Sequence, residues 1–166
     1  MIKKVGMILC VFGAFTASAV VNKSRSNNYD ELVRELEGIK DSKSDLEYYS
    51  EIISDYQMGK YRNLSIRLKS FAKKFPRSPF LDNAYYLAGK MALEEKNYKD
   101  SIGFFQKVVS EFPLSNKVVA SKFGKAMAYR NMNLNTQSMA IFSEIRRKYP
   151  QSPEYFRAET EMKLIK

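Results

Sequence analysis

Histidine and tryptophan are absent from this chain of 166 residues, and cysteine occurs once. Without histidine there is no imidazole to serve as a general base or a metal ligand. Cys10 lies in an apolar run near the N-terminus, so the rest of the chain can form neither a disulfide nor a thiolate metal site. The seven glycines never gather into a phosphate-cradling loop. Glu94 and Glu95 are the one pair that invites an acid/base reading. Adjacent residues on a helix point apart, so they read as a solvated helix end. These absences argue against an enzyme and leave no cofactor implied.

The five prolines are few and orderly. Three of them sit in one phrase: Phe75-Pro76-Arg77-Ser78, Phe112-Pro113-Leu114-Ser115 and Tyr149-Pro150-Gln151-Ser152. Pro76, Pro113 and Pro150 are 37 residues apart. The register extends outside the phrase. Leu68, Phe105 and Phe142 share a slot, as do Phe71, Val108 and Ile145. Gly89 aligns with Ala126, and Ser101 with Ser138. A fixed period of this size marks stacked supersecondary units that bury their apolar faces on one another. Within the phrase, the aromatic residue closes a helix and proline stops it. The serine is then placed to cap the next helix, with Pro79 and Pro153 at first helical positions.

The net charge is +10. Lys3 and Lys4, the apolar Val5 to Phe15 and the Ala17-Ser18-Ala19 sequence read as a secretory signal, cut after Ala19. An uncleaved anchor is the alternative, at the lower limit of spanning length. Leu9 before Cys10 does not fit an acylation signal. Charge alone permits nucleic-acid binding, but a secretory signal argues against it. Lys73-Lys74 and Arg146-Arg147-Lys148 fall in last helical turns, where cations complement the helix dipole.

Taken in order, residues 1–19 are the signal peptide and 20–44 a polar leader with a short amphipathic helix at 29–39. Residues 45–78, 79–115 and 116–152 form three helix pairs, the first opening with a Ser44 to Glu47 capping box. Residues 153–166 form a capping helix, with Glu154, Glu159 and Glu161 on its outer side. Gly89 with Ser101, and Ala126 with Ser138, are small where paired helices cross. Ile52 and Leu64 hold those slots in the first pair, which predicts a more splayed crossing there.

Gly89, Ser101, Phe105, Val108 and Pro113 stand at the spacings of the small, small, aromatic, small-apolar and proline positions of a tetratricopeptide repeat. Ala126, Ser138, Phe142, Ile145 and Pro150 repeat the match. The resemblance implies an all-α fold, a right-handed α-solenoid of about three helix pairs plus a C-terminal capping helix. The longer unit, the F/Y-P-x-S phrase and Asn83-Ala84-Tyr85-Tyr86-Leu87 resemble the C-terminal domain of the Tol–Pal-associated periplasmic cell division coordinator family. Outer-membrane assembly lipoproteins of the BamD type use similar units.

The resemblance implies a periplasmic adaptor without catalysis, linking Tol–Pal constriction to peptidoglycan synthesis at division. An outer-membrane assembly scaffold and a structural envelope oligomer are the alternatives. The slots that contact peptides in related repeats give a concave surface of Tyr49, Ile53, Tyr56, Tyr86, Lys90, Phe123, Met127 and Arg130. Aromatics beside lone cations suit an acidic or amphipathic segment of another envelope protein. Ile53, Phe123 and Met127 also read as core. Membrane association is expected only through partners or an uncleaved signal. The short 29–39 helix predicts a monomer or weak dimer.

Overall fold

The computed structural model describes residues 43–165. The signal peptide with Ala17 and Ala19, Cys10, and the 29–39 helix lie outside the described residues. Seven helices follow one another, with no strand among the described residues. They are α1 (Asp45–Gln57), α2 (Tyr61–Lys74), α3 (Leu81–Glu94), α4 (Tyr98–Glu111), α5 (Val118–Asn131), α6 (Asn135–Lys148) and α7 (Pro153–Leu164). Three hairpins and a closing helix result, as the repeat predicts.

Each hairpin turns at the same register position. Gly59, Lys96 and Asn133 have φ of 68°, 60° and 59°. This left-handed residue lets the next N–H reach back five residues, from Lys60 to Asp55 O, Asn97 to Ala92 O and Leu134 to Tyr129 O. Phe75, Phe112 and Tyr149 then close α2, α4 and α6, each donating its N–H to the carbonyl four residues back.

The crossings inside pairs two and three are alike. Ser101 Oγ donates to Gly89 O at 2.9 Å, and Ser138 Oγ to Ala126 O at 2.9 Å. All four residues are buried. The small residues let the backbones approach, and the hydroxyl finds its partner in a helical carbonyl. Phe105 and Phe142 fill the core beside these crossings, with Val108 and Ile145 one turn on.

The first pair is built differently. Ile52 and Leu64, both fully buried, hold the crossing, and α1 and α2 pack less extensively than α3 and α4. An ionic link replaces the serine bond. Arg67 Nε donates to Asp55 Oδ2 at 2.6 Å, and Arg67 Nη1 pairs with Glu51. Asp55 is only 5% exposed, and the Arg67 guanidinium is the cation paired with it there.

The structure corrects several sequence expectations. Ser44 does form the capping box with Glu47, and Pro153 does open α7. Ser78 and Ser115, however, are not helix caps. α3 and α5 start three residues later, and Pro79 lies in a turn. The two serines instead fasten successive pairs: Ser78 Oγ donates to Asp45 Oδ2 at 2.8 Å, and Ser115 Oγ donates to Asp82 Oδ2. The third repeat has Val119 where Asp45 and Asp82 stand, and there the Ser152 hydroxyl is buried without a partner. Glu161 does not face outward. It turns onto Arg130 of α5, and Glu159 reaches Arg146 at 3.9 Å and Lys163 at 3.1 Å. Acids on α7 therefore help hold it to the stack.

The stack has an inner and an outer side. First-helix backbones approach one another across pair boundaries, α1 to α3, α3 to α5 and α5 to α7. The second helices α2, α4 and α6 do not come as close to each other. The stack is thus tighter along the first helices, which form the inner wall.

Candidate protein-binding surface

The inner wall carries a cavity of about 310 Å³ between α3, α5 and α7. Phe105 closes its base from α4. The Phe105 ring is wedged between Gly89 and Gly124. A Cβ on Gly89 would stand 2.7 Å from the ring, and one on Gly124 only 2.4 Å. Two helices thus come near enough to share one aromatic ring, and the missing side chain of Gly124 leaves room above it.

Four of the expected contact residues meet in this cavity: Tyr86, Lys90, Phe123 and Met127. Tyr86 and Lys90 are one turn apart on α3, as Phe123 and Met127 are on α5. Phe123 is a core residue at 5% exposure, its ring tilted against that of Phe142. The Arg157 guanidinium of α7 lies 4.2 Å from its ring centroid, a cation–π contact. Phe123 therefore serves as covered floor and not as an open anchor.

The other expected residues fall elsewhere. Arg130 does not line the cavity. It pairs with Glu161, which does, so Arg130 positions a wall residue. Tyr49 stacks on Phe80 at 4.8 Å, and its hydroxyl accepts from Asn83 Nδ2. That ring spans the first and second pairs as packing. Ile53 is half-buried on α1, outside the cavity lining. Tyr56 touches the site indirectly: Lys90 Nζ sits 5.3 Å from its ring centroid. The hydrogen bond to the Tyr56 hydroxyl, outweighing partial burial, holds the Lys90 ammonium above its ordinary pKa. Lys90 is therefore a fixed cation at the cavity mouth.

Sequence reasoning missed Leu93, Ala120, Gly124, Arg157 and Glu161. The signal was present in the register. Arg157 and Glu161 of α7 stand 37 residues after Ala120 and Gly124. Treating α7 as a fourth first helix, and not only as a lid, would have placed both on this wall.

The chemistry is that of recognition. An apolar base of Phe105, Phe123 and Met127 is bordered by Lys90 and Arg157, with Glu161 held by Arg130. Such a lining has room and charge for an apolar side chain flanked by negative charge. Glu94 and Glu95 are exposed at the end of α3, and no group of metal-ligating side chains occurs among the described residues. No described helix is long and apolar enough to cross a membrane.

No curated protein sequence matches the chain. Residues 83–115 and 120–152 match the family model described as a tetratricopeptide repeat. The first pair lies outside these matched segments, in keeping with its Ile52–Leu64 crossing and Arg67 link. With a helical hairpin before the first match and the closing helix α7 after the second, the described chain is an all-α solenoid of helix pairs like those of tetratricopeptide repeats.

Proposed function

We propose that this chain is an exported, non-catalytic adaptor of the bacterial cell envelope, and that its inner wall holds a segment of another envelope protein. The observation that carries the reading is the cavity between α3, α5 and α7, apolar at its base and bordered by two cations. It lies on first helices of successive hairpins, so a partner segment laid along the stack would cross it. The F/Y-P-x-S phrase and the Asn83 to Leu87 run support a narrower role, coordinating Tol–Pal constriction with peptidoglycan synthesis during division. The adaptor acts as a monomer or weak dimer, which sedimentation equilibrium would read. Export rests on Lys3, Lys4 and the Ala17-Ser18-Ala19 sequence, and N-terminal sequencing of the mature protein is its check.

The partner segment is acidic or amphipathic, an apolar side chain entering the cavity beside a carboxylate that meets Lys90 or Arg157. The deciding experiment recovers partners from envelope extract with the full chain and titrates the recovered protein against wild type and a Tyr86→Ala, Lys90→Ala variant. Loss of one interface anchor costs about 2 kcal/mol, so affinity should fall by tens of fold. Equal affinity, with both proteins folded, would move the site off this wall.

A further inference from the structure

The excess positive charge does not lie on the inner wall. The second helices α2, α4 and α6 hold ten Lys and Arg residues against three acids. The first helices, α1, α3, α5 and α7, hold six against nine. Helix-end cations account for part of this excess. Lys69, Lys99 and Lys107 are not in last turns and need another account.

These three lysines surround one groove. On the outer side, α2 and α4 leave a shallow groove of about 240 Å³, lined by Ser65, Lys69, Lys99, Gly103, Phe104 and Lys107. The one acid in the lining, Asp100, is already engaged. It accepts from the Tyr61 hydroxyl and from Asn97 Nδ2, each at 2.8 Å. Among the described residues, neither Lys69 nor Lys99 has an ion-pair partner. Lys107 meets Glu111 at 3.1 Å in a half-exposed pair one turn away, an interaction that contributes little.

Gly103 adds an independent observation. A glycine in mid-helix is destabilising relative to alanine. Gly89 and Gly124 offset that cost by admitting Phe105, but a Cβ on Gly103 would meet nothing within 4 Å. Packing gives no reason for glycine there, whereas an unobstructed groove does. The groove is also particular to this step of the stack. Between α4 and α6 the corresponding residues are Gln106, Thr136, Ala140 and Glu144, with no cation among them.

We propose that this outer groove binds a phosphate ester. Arginine's planar fork suits carboxylates, while lysines act as point charges around a phosphate. The groove holds three lysines and no arginine. The Ser65 hydroxyl adds a donor, and the half-buried Phe104 ring offers an apolar side for the carbon of the ester. The ligand chemistry is a phosphate on an alkyl or polyol carbon, supplied by a lipid headgroup or by a free or polymeric ester.

The test titrates the full chain with glycerol phosphate and follows the Gly103 backbone amide by NMR. A parallel arm measures co-sedimentation with phosphatidylglycerol and phosphatidylcholine vesicles. The expected result is a saturable shift at Gly103, weakened about tenfold or more by Lys69→Gln with Lys99→Gln. Gly103→Glu should abolish it, while thermal unfolding confirms that each variant is folded. Binding to phosphatidylglycerol vesicles alone assigns the lipid headgroup, and binding of the soluble ester assigns a free or polymeric source. The proposal is overturned if neither probe binds, or if binding survives the double lysine variant. It is equally overturned if a glutamate peptide of matched charge binds as tightly as the ester.

Discussion

Replacing Gly124 by alanine should destabilise the fold, although alanine is the better helix former. The added Cβ would lie 2.4 Å from Cζ of Phe105 and 2.5 Å from Cε2. Carbon atoms in contact prefer about 3.5–4.0 Å, so the ring must withdraw by about 1 Å. Withdrawal straight away from α5 is blocked. Phe105 is 1% exposed, and its other face is closed by Gly89, where a Cβ would already be 2.7 Å away. Overpacking of this kind costs about 1–3 kcal/mol, against a propensity gain of about 1 kcal/mol. The net effect is a loss of up to about 2 kcal/mol. Gly103→Ala is the matched control, since its Cβ enters open space, and it should gain up to about 1 kcal/mol. Chemical denaturation of both variants gives the comparison. Combining Gly124→Ala with Phe105→Leu should cost less than the sum of the two single changes, because the smaller side chain removes the clash. A Gly124→Ala protein as stable as Gly103→Ala would refute the shared-ring packing.

Three other outcomes follow from the same geometry. Lys96→Gly should stabilise the second hairpin by about 1 kcal/mol, because Lys96 holds φ of 60°; an unchanged midpoint of unfolding would contradict it. Arg67→Ala should cost about 1–3 kcal/mol by leaving Asp55 buried without its guanidinium, and adding Asp55→Asn should recover part of the loss. Lys122 and Lys148 hold the Glu144 carboxyl below its ordinary range. Its folded pKa is depressed, so its contribution is present above the ordinary value of about 4.3 and lost as pH falls through the lower folded value. Glu144→Gln should therefore shallow the acid limb of a stability–pH curve and leave the alkaline limb unchanged.

The 37-residue register made the helices, the three turns and the crossings legible. Gly89 with Ser101, and Ala126 with Ser138, are small for the reason their spacing indicates. A register identifies slots, however, and not which neighbour fills them. Ser78 and Ser115 look like helix caps along the chain, yet in space Asp45 and Asp82 lie within reach of their hydroxyls. Gly124 was silent because its partner, Phe105, comes from a different helix and points across the pair boundary. The cavity was half legible. Tyr86, Lys90, Phe123 and Met127 sit at helical spacing on first helices, but Arg157 and Glu161 belong to a helix that reads as a lid. Arg130 resembles a free anchor in sequence and is spoken for only once Glu161 turns inward.

The central claim is that partners are held on the inner wall. It is tested most directly by placing a photo-crosslinking residue at Met127, in the cavity, and separately at Ile66, an exposed residue of α2 on the other side of the stack. Irradiation in intact cells should give a discrete protein adduct from position 127, lost when Tyr86→Ala and Lys90→Ala are added, and none from position 66. An adduct from position 66 alone, or one from position 127 that survives those changes, would contradict the account.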